Sequence, residues 1–133
     1  MIDYENQIFT AVATALKASY PNITVESIEN YGPASFPHVS LVEIKNMCVV
    51  GTQDSSSNEN HAEIDYELNV TVNNRGGRKR EAKAIAACAD EVMMRLGFTR
   101  ITASPISFDE ATKYRIVIRY TAVISKDGVI YRR

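Results

Sequence analysis

Two stretches of strict apolar/polar alternation constrain this chain more than anything else in it. From Ala62 to Asn73, Ile64, Tyr66, Leu68, Val70 and Val72 alternate with Glu63, Asp65, Glu67, Asn69, Thr71 and Asn73. From Tyr114 to Ile124, Tyr114, Ile116, Ile118, Tyr120, Ala122 and Ile124 alternate with Arg115, Val117, Arg119, Thr121 and Val123. A period of two over so many residues marks a strand with one face in a core and one toward water. An Asp127-Gly128 turn and a short return strand follow the second stretch, so the chain closes on a hairpin.

Helical spacing appears twice. Ile8, Phe9, Val12, Ala15 and Leu16 recur at steps of three and four between Tyr4 and Ser19, with Asp3 placed as N-cap and Tyr20-Pro21 as the stop. Ile85, Cys88, Ala89, Val92, Met93 and Leu96 form the stripe of a second helix over Arg78 to Leu96, and Gly97 follows as a left-handed cap. Shorter strands are expected at Ile23 to Ile28, at Val39 to Asn46, where the break in alternation at Leu41-Val42 implies either a bulge or a two-sided strand, and at Phe98 to Ala103, where Ser104-Pro105 interrupts. Gly32, Pro33 and Pro37 mark a loop. Gly51 to Asn60 has no apolar side chain and reads as a mobile loop. The fold class is α+β: a mostly antiparallel β-sheet packed against two α-helices, in the order α-β-β-β-α-β-β.

One domain over residues 1–133 is expected, because a chain of this length buries about 65 to 70% of its unfolded surface without a disulfide or metal. Cys48 and Cys88 stand alone and are expected to be reduced thiols. The acidic start MIDYENQ is no secretory signal, and no run approaches the ~18 apolar residues of a membrane span. The expectation is a protein made and kept in the cytoplasm.

Chemistry is sparse. His38 and His61 belong to no HxH or HExxH pair, so no metal site is expected, and Cys88 on an apolar stripe is a core residue rather than a nucleophile. Asn74-Arg75-Gly76-Gly77-Arg78-Lys79 lacks the phosphate-loop arrangement. Asp109 and Glu110 are adjacent turn acids, without the fixed separation that acid/base work requires. No catalytic residue and no cofactor are expected.

Charge is ordered along the chain although its sum is only −1. Residues 1–74 hold two cations, Lys17 and Lys45, against ten acids, a balance of −8; residues 75–133 hold thirteen cations against six acids, a balance of +7. One reading has the halves interleave in the sheet and neutralise each other, with Glu63, Asp65 and Glu67 opposite Arg115 and Arg119. Another has them serve as unlike surfaces of a head-to-tail ring. Arg75, Arg78, Lys79, Arg80 and Lys83 crowd the start of the second helix, where the helix dipole disfavours cations, so an acidic neighbour is expected there. Tyr131-Arg132-Arg133 and Arg119-Tyr120 suit a protein contact. A net charge of −1 gives little drive for nonspecific DNA binding.

The segments Phe36-Pro37-His38-Val39, Glu59-Asn60-His61-Ala62, Tyr66-Glu67, Leu96-Gly97-Phe98, Tyr114-Arg115, Arg119-Tyr120 and Ser125-Lys126-Asp127-Gly128 through Ile130-Tyr131-Arg132-Arg133 resemble the tail terminator (tail-completion) proteins of long-tailed bacteriophages. The resemblance implies a small α+β subunit without enzymatic activity that forms a homohexameric ring on the tail tube, stops tube polymerisation and presents the head-attachment surface. Its partners would be itself, the tail tube protein and a head-completion or connector protein, with no membrane and no specific nucleic-acid binding. It would work in the host cytoplasm during assembly and then at the head-tail junction of the virion. On this reading Arg75, Arg78, Lys79, Arg80, Lys83, Glu63, Asp65 and Glu67 are subunit-interface candidates. Asp54, Glu59, Lys126, Asp127, Arg132 and Arg133 are candidates for contact with tube or connector. A head-closure protein or tail tube subunit is the alternative, and a small ligand-binding domain or enzyme a more distant one.

Overall fold

A computed structural model describes residues 1–28, 36–52, 60–73, 79–106 and 113–131. Two helices, α1 (Glu5–Ser19) and α2 (Lys79–Leu96), cover one face of a six-stranded sheet built from β1 (Thr24–Glu26), β2 (His38–Cys48), β3 (His61–Asn73), β4 (Thr99–Ile106), β5 (Lys113–Ser125) and β6 (Ile130–Tyr131). The class is the expected α+β. The return strand of the hairpin counts as a separate sixth strand, so the order carries one element more than the alternation implied.

The strands lie in the order β1-β2-β3-β5-β4, with β6 on β5. All pairings are antiparallel except β1 with β2, which makes the sheet mixed. The two alternating stretches pair with each other along their whole length, from His61↔Ser125 to Asn73↔Lys113. Each gives its apolar set to the same face, so Ile64, Tyr66, Leu68, Tyr120, Ala122 and Ile124 form the centre of the core. Tyr66 and Phe98 meet edge to face there, their ring centroids 5.4 Å apart.

Helix α1 buries Ile8, Val12 and Leu16 of the expected stripe and adds Ala13, while Phe9 and Ala15 are half-buried and pack against the core. The cap is displaced by one residue: Tyr4 holds the N-cap position and makes no side-chain cap bond, while the Asp3 carboxylate accepts the Glu5 N–H at 3.1 Å. Helix α2 buries Ala82, Ile85, Ala86, Ala89, Val92 and Met93. It ends as its sequence requires. Gly97 takes φ 114°, its N–H donates to the Met94 carbonyl, and the Phe98 N–H reaches back to the Met93 carbonyl, the paired closing bonds of a glycine-capped helix.

Three local expectations are corrected. The bulge in β2 lies between Glu43 and Lys45, two residues beyond Leu41-Val42, so Ile44 is the extra residue and Glu43 stays on the core face opposite Tyr66. Ser104-Pro105 does not end β4, which runs to Ile106. As the last strand in the order, β4 tolerates a residue without an N–H on its outer side. The outer face of β5 is also less open than alternation implies, since Arg115 and Val117 are buried and Arg115 Nε donates to Thr71 Oγ1 at 3.0 Å.

The mobile loop read at Gly51 to Asn60 falls largely outside the described residues, as do the glycine and proline punctuation at Gly32-Pro33 and the turn acids Asp109 and Glu110. Cys48 and Cys88 are free thiols, and Cys88 packs against the core. No helix among the described residues is long and apolar enough to cross a membrane.

Candidate assembly surfaces

Pairing β3 with β5 has a consequence for charge. Strands of the first half of the sequence, β1, β2 and β3, fill one side of the sheet, and β5, β4 and β6 fill the other. The halves therefore stand side by side rather than interleaved, and the first of the two charge readings holds only at the seam, where Glu67 is the register partner of Arg119 while Arg115 faces Thr71. Counting the strands alone, β1, β2 and β3 carry five acids against one lysine, and β4, β5 and β6 carry four cations and no acid. Neutralisation across the seam is local: Arg119 Nη2 lies 3.2 Å from Glu67 Oε2. The protein is thus polarised laterally, negative toward the β1–β2 edge and positive toward the β4 edge.

The interface candidates divide between the two faces of the sheet. Glu63, Asp65 and Glu67 alternate with the core residues of β3 and so stand on the face away from the helices. Glu63 is joined to Lys45 Nζ at 3.0 Å and Glu67 to Arg119, so two of the three acids are held within the chain. Such half-exposed pairs contribute little stability, from about 0 to 1 kcal/mol, but they fix where the charges point. Asp65 differs. Among the described residues, its Oδ1 and the Oγ1 of Thr121, its register partner on β5, are buried without a hydrogen-bond partner.

Lys79, Arg80 and Lys83 are exposed on the first turns of α2, in the helix layer. Lys79 Nζ stands 5.8 Å above the Tyr114 ring, and Lys79 and Lys83 rim a groove of about 450 Å³ between α2 and β4 whose floor includes Ala86, Ala103, Pro105 and Ile118. Arg100 and Asp90 also line the groove, joined to each other at 2.8 Å. Arg75 and Arg78 lie outside the described residues. The contact candidates Lys126 and Asp127 are exposed at the hairpin tip, whereas Asp54, Glu59, Arg132 and Arg133 are outside the described residues. The tip is braced from α1, since the Tyr4 hydroxyl donates to the Lys126 carbonyl at 2.7 Å and the Tyr4 ring lies against Gly128.

A row of four residues crosses the core face from one edge to the other: Glu43 on β2 pairs with Tyr66 on β3, Tyr66 with Tyr120 on β5, and Tyr120 with Arg100 on β4. It starts with an acid and ends with a base. Burial, then the charges of Glu5 and Asp3, hold the Glu43 carboxyl above its ordinary value. The start of α1 is fixed over this end of β2, because Asn46 Nδ2 donates to the Ile2 carbonyl at 2.7 Å. At the other end Asp90 accepts both Arg100 and the Tyr120 hydroxyl. Sequence reasoning missed Glu43 and Arg100. Glu43 sits inside a stretch whose alternation fails, and only the bulge position assigns its face.

Chemistry of other kinds finds little support in the geometry. Among the described residues no group of three or more His, Cys, Asp or Glu side chains is arranged to hold a metal ion. His38, the buried first residue of β2, has Nε2 3.3 Å from Glu26 Oε2, close enough for an ion pair when the ring is protonated but poorly aligned for a hydrogen bond.

No family model and no curated protein matches the sequence. Solved structures do match. A chain of the virion of a native gene transfer agent particle superposes with TM-score 0.64 over 89% of this chain and 91% of its own length, at 16% identity. A second solved chain superposes with TM-score 0.54 over 90% of this chain and 94% of its own, at 14% identity. This chain therefore shares nearly its whole fold with a virion component.

Proposed function

We propose that this chain is a tail terminator: a structural subunit that assembles as a ring on the end of a tail tube, stops its growth and offers the surface to which a head attaches. The observation that carries the reading is the end-to-end fold likeness to a virion component, to which the residue pattern quoted above adds the terminator assignment. The lateral polarity supports it further. A ring of identical subunits needs two different, mutually attractive surfaces on each, and the acidic and basic sides of this sheet are such a pair.

Termination then follows from symmetry. A tube grows because each ring offers the next a matching surface; a terminator matches on one axial side and fails to propagate on the other. In this reading the helix-start cluster at Lys79, Arg80 and Lys83 helps close the ring against acids of the next subunit. The hairpin tip at Lys126 and Asp127 and the Asp54 to Glu59 segment would meet tube or connector. Neither catalysis nor a cofactor enters this role.

Electron microscopy of particles made without this chain tests the proposal. Abnormally long, headless tails are expected. Tails of normal length joined to full heads would overturn it, unlimited tubes formed by the purified chain would assign it as a tube subunit, and normal but headless tails would favour a head-closure protein. Replacing Arg78, Lys79 and Arg80 together by glutamate is expected to abolish rings and leave a folded monomer.

A further inference from the structure

We propose that the two free edges of the sheet dock on one another between copies of this chain, β4 of one copy running antiparallel along β2 of the next, with Arg100 of the first beside Glu43 of the second. The inference deepens the ring reading above by naming its joint.

Both edges are open. Strand β1 pairs only with His38–Ser40, so among the described residues no strand covers the outer side of β2 from Leu41 to Cys48, or that of β4 from Arg100 to Pro105. Long edges with exposed apolar side chains are sites of strand pairing with another chain. Exposed apolar side chains lie on both edge strands: Ile44 and Met47 on β2 are 46% and 49% exposed, and Ile101 on β4 is 54% exposed, Ile44 and Ile101 being the extra residues of the two bulges, so that the added ladder is carried by the residues around them. Pro105 supplies no N–H and sets one limit of the added ladder.

Direction and charge agree with this pairing. From β2 through β3 and β5 to β4 each strand reverses its neighbour, so β2 and β4 run in opposite senses. A second copy placed beside the first by rotation therefore adds its β2 to β4 as one more antiparallel pair and keeps its helices on the same side of the sheet. Placed in register, the row Glu43, Tyr66, Tyr120, Arg100 runs on into the row of the next copy, base meeting acid at the joint. Glu5 and Asp3 stand beside Glu43 on one side, and Lys83 shares the groove of Arg100 on the other. Like edges repel and unlike edges attract, so the joint is heterologous rather than two-fold, and its repetition forms a ring where the rotation between copies closes, as the tail-end reading requires.

A charge exchange tests the joint, read by sedimentation of the purified full chain, with circular dichroism confirming the fold. The wild type is expected to self-associate. Glu43→Arg alone and Arg100→Glu alone each set like charges together and are expected to associate at least about a hundredfold more weakly. Their equimolar mixture is expected to assemble again, because every joint then pairs unlike charges, and only with even numbers of subunits. Since Arg100→Glu also removes the Asp90 contact, a second pair guards against misfolding: Ile44→Asp and Ile101→Asp should each be monomeric and, mixed, should stop at a dimer, with one intact joint. A monomeric wild type at every concentration reached, single variants that assemble like wild type, or mixtures that fail to recover would each overturn the edge pairing. Assembly of the single variants would leave the tail-end reading standing. Normal tails in particles lacking the chain would overturn that reading without touching this one.

Discussion

Tyr120 donates its hydroxyl proton to Asp90 Oδ1 over 2.8 Å, tying the central strand β5 to the middle of α2. Burial, together with the negative partner, raises the phenol far above its ordinary value, so it remains a donor throughout the range in which the protein is handled. Tyr120→Phe leaves Asp90 with Arg100 alone. A hydrogen bond to a charged acceptor contributes about 1.5 to 3 kcal/mol, and the partial exposure of Asp90 sets the expected loss near the lower limit. Urea unfolding of the two proteins should show a lower midpoint with an unchanged slope.

Gly97 is needed for its backbone and for its lack of a side chain. Its φ of 114° is unfavourable for any residue with a Cβ, and a Cβ built there stands 3.0 Å from Ile130 Cγ2 and 3.3 Å from the Ile130 carbonyl oxygen. Gly97→Ala should therefore both strain the cap of α2 and push β6 from β5, at a cost of about 1 to 3 kcal/mol. For a domain of this size that is a fall in Tm of roughly 3 to 15 °C, measurable by calorimetry. An unchanged Tm would show that the helix end relaxes without disturbing β6.

Glu43 predicts a pH dependence with a definite sign. Its folded carboxyl is raised above the ordinary 4.5, so between that value and its folded one the native state binds more protons than the unfolded state. Its stabilising effect is present at low pH and is lost as pH rises through the raised value. In the monomer, Glu43→Gln should then melt above wild type at neutral pH, with the difference shrinking as pH falls to and below about 4.5. The same substitution should weaken self-association if Arg100 of a second copy is its partner. More stable as a monomer and weaker as an assembly is the expected combination, read by melting and sedimentation of one sample.

What was legible in the sequence is what local periodicity controls. Strands β3 and β5 each present one face to a single apolar layer, so alternation assigns their core residues directly, and Gly97 follows a helical stripe at the position a left-handed cap requires. The failures have non-local causes. Pro105 stops a strand only when both sides are paired, and the position of β4 at the edge depends on which strands neighbour β5. The burial of Arg115 and Val117 arises on a face that alternation assigns to water. The lateral separation of charge depends on β3 meeting β5 across the sheet, a pairing made across the whole of α2 and β4. The charge counts of the halves were visible in the chain, but their direction in space was not. The joint residues Glu43 and Arg100 were hidden for a related reason, since each precedes a bulge that breaks the pattern from which a face is read.

Tyr66 is the register partner of Tyr120 and should behave in the opposite way. Both rings are fully buried on the core face, yet among the described residues the Tyr66 hydroxyl has no well-aligned hydrogen-bond partner, although it lies close enough to Glu43 to feel its charge. A buried hydroxyl without a partner is a cost rather than a contribution. Tyr66→Phe keeps the ring and its edge-on contact with Phe98, so stability should be unchanged or raised by up to about 1 to 2 kcal/mol. Tyr66→Ala removes the ring as well and should cost about 3 to 5 kcal/mol through the cavity left beside Phe98. Chemical denaturation of Tyr66→Phe and Tyr120→Phe side by side tests the contrast: equal losses would mean that the Tyr66 hydroxyl does find a partner in solution, with the Glu43 carboxyl as the group to examine.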